Sequence, residues 1–358
     1  MESLNNKKSE KNLSVSILKL MAACAVIFLH INFAGRFGEG VECVARIAVP
    51  VFFAISGYYS FEIKTDVIKR RLIKVLKIFI AANSIYLIWN MFLRCYLGDE
   101  GILEYLKTVF SIKNLATVFL MDGSLTSFHL WYLTAMLYVY IIYLVYCSFW
   151  KDGRVNYKYL YIYSAMAFVV LILFALKVQA VNIGEYHWVY RNSLFFGIPL
   201  FSMGIFIHEY RERIMNNYFF QNKTVTFILF TVSILLGLLQ YFGIGKTDYP
   251  VMLTYAIFVL VLYTTGSNIT ANVKNPDQMC SLINRMSMII YIIHILVRDI
   301  FTADYDHNRF FGEISQNGYT FPLIVLLASI VIAFIISAID IYFLNPIFSH
   351  NAQRGTRK

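Results

Sequence analysis

"ILKLMAACAVIFLHINF", residues 17–33, is an apolar run of membrane length that carries two ionisable side chains, Lys19 and His30. A helix needs about 20 mostly apolar residues to cross a bilayer. An ionisable group inside such a segment costs about 2.5–3.5 kcal/mol on insertion scales, so each one calls for a reason. Eleven residues separate the pair, which brings a helix back to within about 20° of its starting direction. Lys19 and His30 therefore share one face. At 1.5 Å per residue they stand about 16 Å apart along the axis, too far for an ion pair. Taken singly, Lys19 can snorkel to the headgroups and His30 can sit as a boundary histidine. Taken together, they mark two depths on one stripe facing a bundle.

The rest of the chain follows the same pattern. Of its 358 residues 59% are hydrophobic and only 15% charged, with a mean hydropathy of +0.61. Soluble chains run nearer a quarter charged, so the composition excludes an ordinary soluble domain and points to a polytopic membrane protein. The ruler gives about ten spans, at 14–33, 41–61, 75–97, 129–149, 158–178, 193–208, 225–243, 249–267, 281–301 and 320–343. The fold class expected is an all-α polytopic membrane helical bundle. Residues 102–121 alternate at helical spacing and read as an amphipathic helix on the membrane surface.

The formal net charge of +10 sits between the apolar runs, where it sets topology, and does not imply a nucleic-acid partner. "KKSEK", "KTDVIKRRLIKVLK", "KDGRVNYK", "HEYRERI" and "QRGTRK" alternate with acidic or balanced segments. The basic set should be cytoplasmic, with both termini inside. This divides the chain into an N-terminal tail (1–12), one transmembrane domain (13–343) and a basic C-terminal tail (344–358). The first apolar run is too long for a signal peptide and no cleavage site follows it, so it reads as a retained helix. Cys24, Cys43, Cys95, Cys147 and Cys280 are scattered without C-x-x-C spacing, which indicates neither a metal site nor a disulfide framework.

Further candidates come from polar residues in or beside spans. Arg46, Pro50 and Ser56-Gly57 in "RIAVPVFFAISGYYSF" (46–61) suggest a kinked helix with a close-packing face. Lys69, Arg70, Arg71, Lys74 and Lys77 form a basic cluster suited to anionic lipid, or to phosphates. His129 and Trp131 open the fourth span. Trp131 has an easy role as an interfacial anchor. Arg191 precedes the sixth span, and its guanidinium suits planar anions. In the ninth, Ser287, Tyr291 and His294 recur at i, i+4 and i+7 on one face, lining a cavity or bonding a neighbouring helix.

These features together resemble the acyltransferase-3 family of integral-membrane acyltransferases. The resemblance rests on Lys19 and His30 in the first helix, "RIAVPVFFAISGYY" (46–59), "HLWYL" (129–133), "RNSLFFGIPLFSMG" (191–204) and "SMIIYIIH" (287–294), spread from about residue 13 to 343. The chain is also similar to the membrane half of the vancomycin-resistance serine racemases in "RIAVPVFFAISGYY" and "YRNSLFFGIPLF", without a segment for a racemase domain. The family resemblance implies a multi-pass enzyme of the bacterial plasma membrane. That enzyme would transfer an acyl group, usually acetyl from acetyl-CoA, to a hydroxyl or amine of an extracytoplasmic glycan or cell-envelope acceptor, with membrane lipids as its surroundings and no metal. It further implies that His30 is catalytic and that Lys19, where the family commonly has Arg, is its basic partner.

On this reading Lys19, Lys69, Arg70, Arg71 and Lys74 lie along the donor path. Arg46, His129, Trp131 or Arg191 would serve the acceptor or the oxyanion, and Ser56, Ser287, Tyr291 and His294 would support them. The other reading is a transporter for a small solute such as serine, suggested by the racemase-linked relatives. A non-catalytic assembly factor comes third.

Overall fold

In hydrocarbon a backbone N–H or C=O has no water to bond, so a spanning segment must satisfy its own backbone, and a helix does this within one strand of chain. The computed structural model describes residues 12–97, 101–150, 155–181, 192–243, 251–267, 273–302 and 314–341, and among them every regular element is helical. The main helices are α1 (Leu13–His30), α2 (Gly35–Ala45), α3 (Ala48–Tyr58), α4 (Thr65–Leu97), α5 (Ile102–Val109), α6 (Ile112–Met121), α7 (Trp131–Ser148), α8 (Lys158–Val181), α9 (Ile198–Met215), α10 (Lys223–Gly243), α11 (Thr254–Gly266), α12 (Pro276–Thr302) and α13 (Phe321–Ile339). Eight candidate spans among the described residues are long and apolar enough to cross a membrane, counting α2 with α3 as one. Two shorter apolar helices, over Lys158–Leu173 and Thr254–Gly266, stand where two further spans are expected. Large apolar side chains face outward along these helices, including Ile80, Ile88 and Phe92 of α4, Leu235 and Leu239 of α10, and Leu327 and Val331 of α13. Such surfaces need lipid rather than water around them. The protein is a multi-pass, all-α membrane protein.

The chain divides into two compact units, one made of residues 1–39 and 263–358, the other of residues 40–262. In the first unit α12 packs against both α1 and α13. Asn284 bonds Ser16 while His294 lies against His30, so α1 and α12 run in the same direction. Phe301 meets Phe321 and Arg285 pairs with Asp340, so α13 runs the opposite way. The start of α1 and the end of α13 thus lie at one end of this three-helix unit. Val325, Ser329, Ala333 and Ser337 repeat every four residues and are buried, giving α13 a narrow small-residue face for close approach. Asn12 caps α1 through its Oδ1, which accepts from the Val15 N–H, and its Nδ2 donates to the Thr264 and Thr265 carbonyls.

In the second unit the pairing of α3 with α9 is the most extensive, and glycine makes it possible. A Cβ at Gly57 would fall on the Phe201 carbonyl, and one at Gly204 on the Ala54 carbonyl. The close-packing face expected around Ser56-Gly57 is therefore real. The kink is displaced: helix breaks between α2 and α3 at Arg46–Ile47, upstream of Pro50. Pro50 falls in the first turn of α3, where its missing N–H has no helical acceptor to serve.

Two other expectations change. The basic stretch 69–77 is not a connecting segment but lies in the first turns of α4, which Asp66 opens favourably for the helix dipole. Residues 102–121 form two helices, because Ser111 takes the N-cap position of α6 and accepts from the Asn114 N–H. The backbone contacts at Gly57 predict that Gly57→Ala loses about 1–3 kcal/mol through overpacking, seen as a lower melting temperature in detergent. Gly40→Ala, whose Cβ would meet nothing within 4 Å, should leave it within about 0.5 kcal/mol.

Candidate functional site

In the first unit α1 is one unbroken helix from Leu13 to His30, so the spacing of Lys19 and His30 on one face holds. Both are half-buried. His30 closes the helix, and its ring stacks on that of His294 with centroids 5.3 Å apart and planes 21° from parallel. His294 is fully buried on α12. Its Nδ1 lies 2.9 Å from the Tyr291 carbonyl and 3.2 Å from that of Ile290. Carbonyls only accept, so Nδ1 carries a proton. The Tyr291 ring lies 6.4 Å from the His294 ring, and Tyr291 and Ser287 are buried on the same helix. Ser287 returns its hydroxyl to the Ile283 carbonyl at 2.8 Å. The i, i+4, i+7 face read from the sequence is thus a buried one, and it delivers a second imidazole to His30.

The other candidates lie in the second unit. Arg46 pairs with Glu42 at 2.5 Å, and its guanidinium stands 5.6 Å from the Tyr241 ring centroid. Both charged side chains are only 14% exposed, so the pair is largely desolvated. A guanidinium engaged by a carboxylate and a ring is built to hold α2 against Tyr241 of α10. His129 is buried as well, its Nδ1 2.9 Å from the Ser127 Oγ and its ring edge-on to Tyr86 at 4.9 Å. Trp131 begins α7 with its ring 6.1 Å from Phe196. Arg191 lies outside the described residues.

Within the basic cluster the fold separates residues that look alike in sequence. Lys69, Arg70 and Lys74 are exposed, and Lys69 makes only an i, i+3 pair with Asp66 at 3.9 Å. Arg71 turns inward, its Nη1 donating to the Ser60 Oγ at 3.0 Å and its charge reaching Tyr140. Ser56, in turn, is within hydrogen-bonding reach of the Tyr132 and Tyr140 hydroxyls. Tyr143 donates to the Ser60 carbonyl at 2.5 Å and lies 3.4 Å from the Tyr157 hydroxyl. This hydroxyl track is missed in the sequence reading. Its signal is the tyrosine spacing of "WYLTAMLYVYIIYLVY" (131–146), where Tyr132, Tyr140 and Tyr143 stand on related turns. Among the described residues, no cluster of three or more His, Cys, Asp or Glu could hold a metal ion.

The family model that matches this chain describes an acyltransferase domain and covers residues 12–339. The chain belongs to the acyltransferase-3 family. It is an acyltransferase, of the kind that moves groups other than aminoacyl groups. No curated protein and no solved structure matches it.

In the second unit Asp122 follows α6 in the left-handed region at φ 51° and is buried. Its Oδ2 accepts from the Ser193 N–H, joining α6 to the turn that opens α9. Burial pushes its carboxyl above the ordinary range, with the Ser193 bond opposing. A carboxyl raised by folding stabilises most when protonated, below the unfolded value, and loses that contribution as pH climbs through the raised one. The melting temperature should therefore fall over a window that starts near pH ~4 and extends upward. Asp122→Asn keeps an acceptor and tolerates the backbone, and it should flatten that slope in a pH series of melts.

Proposed function

We propose that this acyltransferase moves an acetyl group from acetyl-CoA, presented at the cytoplasmic side of the cell membrane, to a hydroxyl of an extracytoplasmic glycan or other cell-envelope acceptor. The observation that carries the reading is the stacked His30–His294 pair at the end of α1 in a chain of this family. His30 is a half-buried imidazole at a helix terminus, and the ring stacked on it is held by its own helix through Nδ1.

His30 accepts the proton of the acceptor hydroxyl as the oxygen attacks the thioester carbonyl. The tetrahedral intermediate collapses with cleavage of the carbon–sulfur bond, and the departing thiolate takes the proton from the imidazolium. The products are the acetyl ester and free CoA, and His30 returns to its neutral form. On the donor side, Arg71 is the member of the basic cluster whose guanidinium is oriented, by Ser60 and Tyr140. It is therefore the one suited to a phosphate of the nucleotide end, with Lys69, Arg70 and Lys74 supplying attraction from the surface. Lys19 lies three turns below His30 on the same face of α1.

The test uses the full-length protein in membranes with labelled acetyl-CoA, scoring label transferred to membrane material and CoA released. His30→Ala should insert and melt normally while its rate falls by ~10²–10⁴-fold. Arg71→Gln should raise the KM for acetyl-CoA by ~10-fold through loss of a charge-assisted bond, with Arg70→Gln changing it less than twofold. A His30→Ala protein that transfers acetyl at the wild-type rate sinks the proposal.

A further inference from the structure

His30 is the last residue of α1, and the next residue, Ile31, has already left helical geometry, at φ −134° and ψ 89°. A side chain at a helix end gets little help from its own helix in fixing χ2, the torsion that sets the plane of an imidazole. Yet a general base works only when its nitrogen lone pair points at the proton it takes, and that direction lies in the ring plane. A second ring stacked on the imidazole sets that plane from its face.

The face of His294 does this. It lies 5.3 Å from the His30 ring at an interplanar angle of 21°, a near-parallel stack. Two observations show that the His294 ring is itself held. Its Nδ1 is aimed at the carbonyls of Tyr291 and Ile290, the preceding turn of its own helix. The ring is fully buried, with Tyr291 tilted 45° against it. Asn284, ten residues earlier, bonds Ser16 of α1 at 2.8 Å and fixes the register of the two helices. The wall is planar and held in place.

From this geometry we infer that His294 is a positioning residue for the transfer reaction: a flat platform that sets the ring plane of the His30 base without touching either substrate. The inference rests on the acetyl-transfer reading with His30 as base, and it makes a demand that ordinary core packing does not. A core position accepts any apolar side chain of suitable volume. A platform accepts only a planar one. His294→Phe keeps the plane, His294→Leu keeps volume without it, and His294→Ala removes both.

Full-length wild type and the three variants are compared in membranes with labelled acetyl-CoA, alongside His30→Ala. The melting temperature of each is recorded in detergent. His294→Leu and His294→Ala should lose at least ~10-fold in kcat, as misplaced reacting groups do, with the KM for acetyl-CoA within twofold of wild type. His294→Phe should recover kcat to within threefold. If His294→Ala fails to fold, the contrast between Leu and Phe carries the test alone. The platform is wrong if Leu matches wild type, or if Phe falls as far as Leu. Failure of the underlying reading looks different: His30→Ala then turns over like wild type, or wild type transfers nothing from acetyl-CoA.

Discussion

A polar group in hydrocarbon must find its partner within the protein, and this one constraint orders the whole structure. Several hydroxyls and amides on the spans meet it locally, by bonding the carbonyl one turn back on their own helix. Ser164 reaches Leu160, Ser202 reaches Ile198, Ser287 reaches Ile283 and Asn83 reaches Phe79. These side chains add polarity to a sequence without adding chemistry. The informative groups are those whose partners lie on another element: Asn284 on Ser16, Arg71 on Ser60, Asn12 on the 264–265 carbonyls. Each such bond fixes the register of two segments, because an unmatched partner would be left in lipid or core.

The same rule sorts the basic residues. An arginine on a surface turn interacts with water and headgroups, and its geometry is loose. Arg46 and Arg71 are withdrawn from that environment, one against Glu42 and Tyr241, the other against Ser60 and Tyr140. The first is engaged in holding helices together. The second is anchored by two neutral hydroxyls rather than by a carboxylate, and so differs in kind from its exposed neighbours Arg70 and Lys74.

Much of this could be read from the sequence, and the boundary of what could is physical. Helix-length apolar runs, the shared face of Lys19 and His30, and the face formed by Ser287, Tyr291 and His294 all follow from a 3.6-residue period, a property of one helix. The break at Ser111 had a local signature in its capping side chain, hidden because the apolar alternation runs through it. That His294 meets His30 could not be read, since 264 positions separate them and no periodicity connects two helices. Nor could the inward turn of Arg71, because only about 100° of rotation distinguishes it from Arg70 and the packing of α4 settles which faces in. Pro50 misled for a related reason: proline disrupts a helix interior, and the break at Arg46 made its position a beginning.

The first unit is assembled from two segments far apart in sequence, residues 1–39 and 263–358. That has a consequence for synthesis. At roughly 5–20 residues per second, α1 emerges early and then waits on the order of 15–50 s before α12 is complete. During that interval the polar edge of α1, with Ser16, Lys19 and His30, lacks α12 beside it. A nascent chain thus holds His30 without His294 beside it, and the histidine pair comes into being only once α12 has been made.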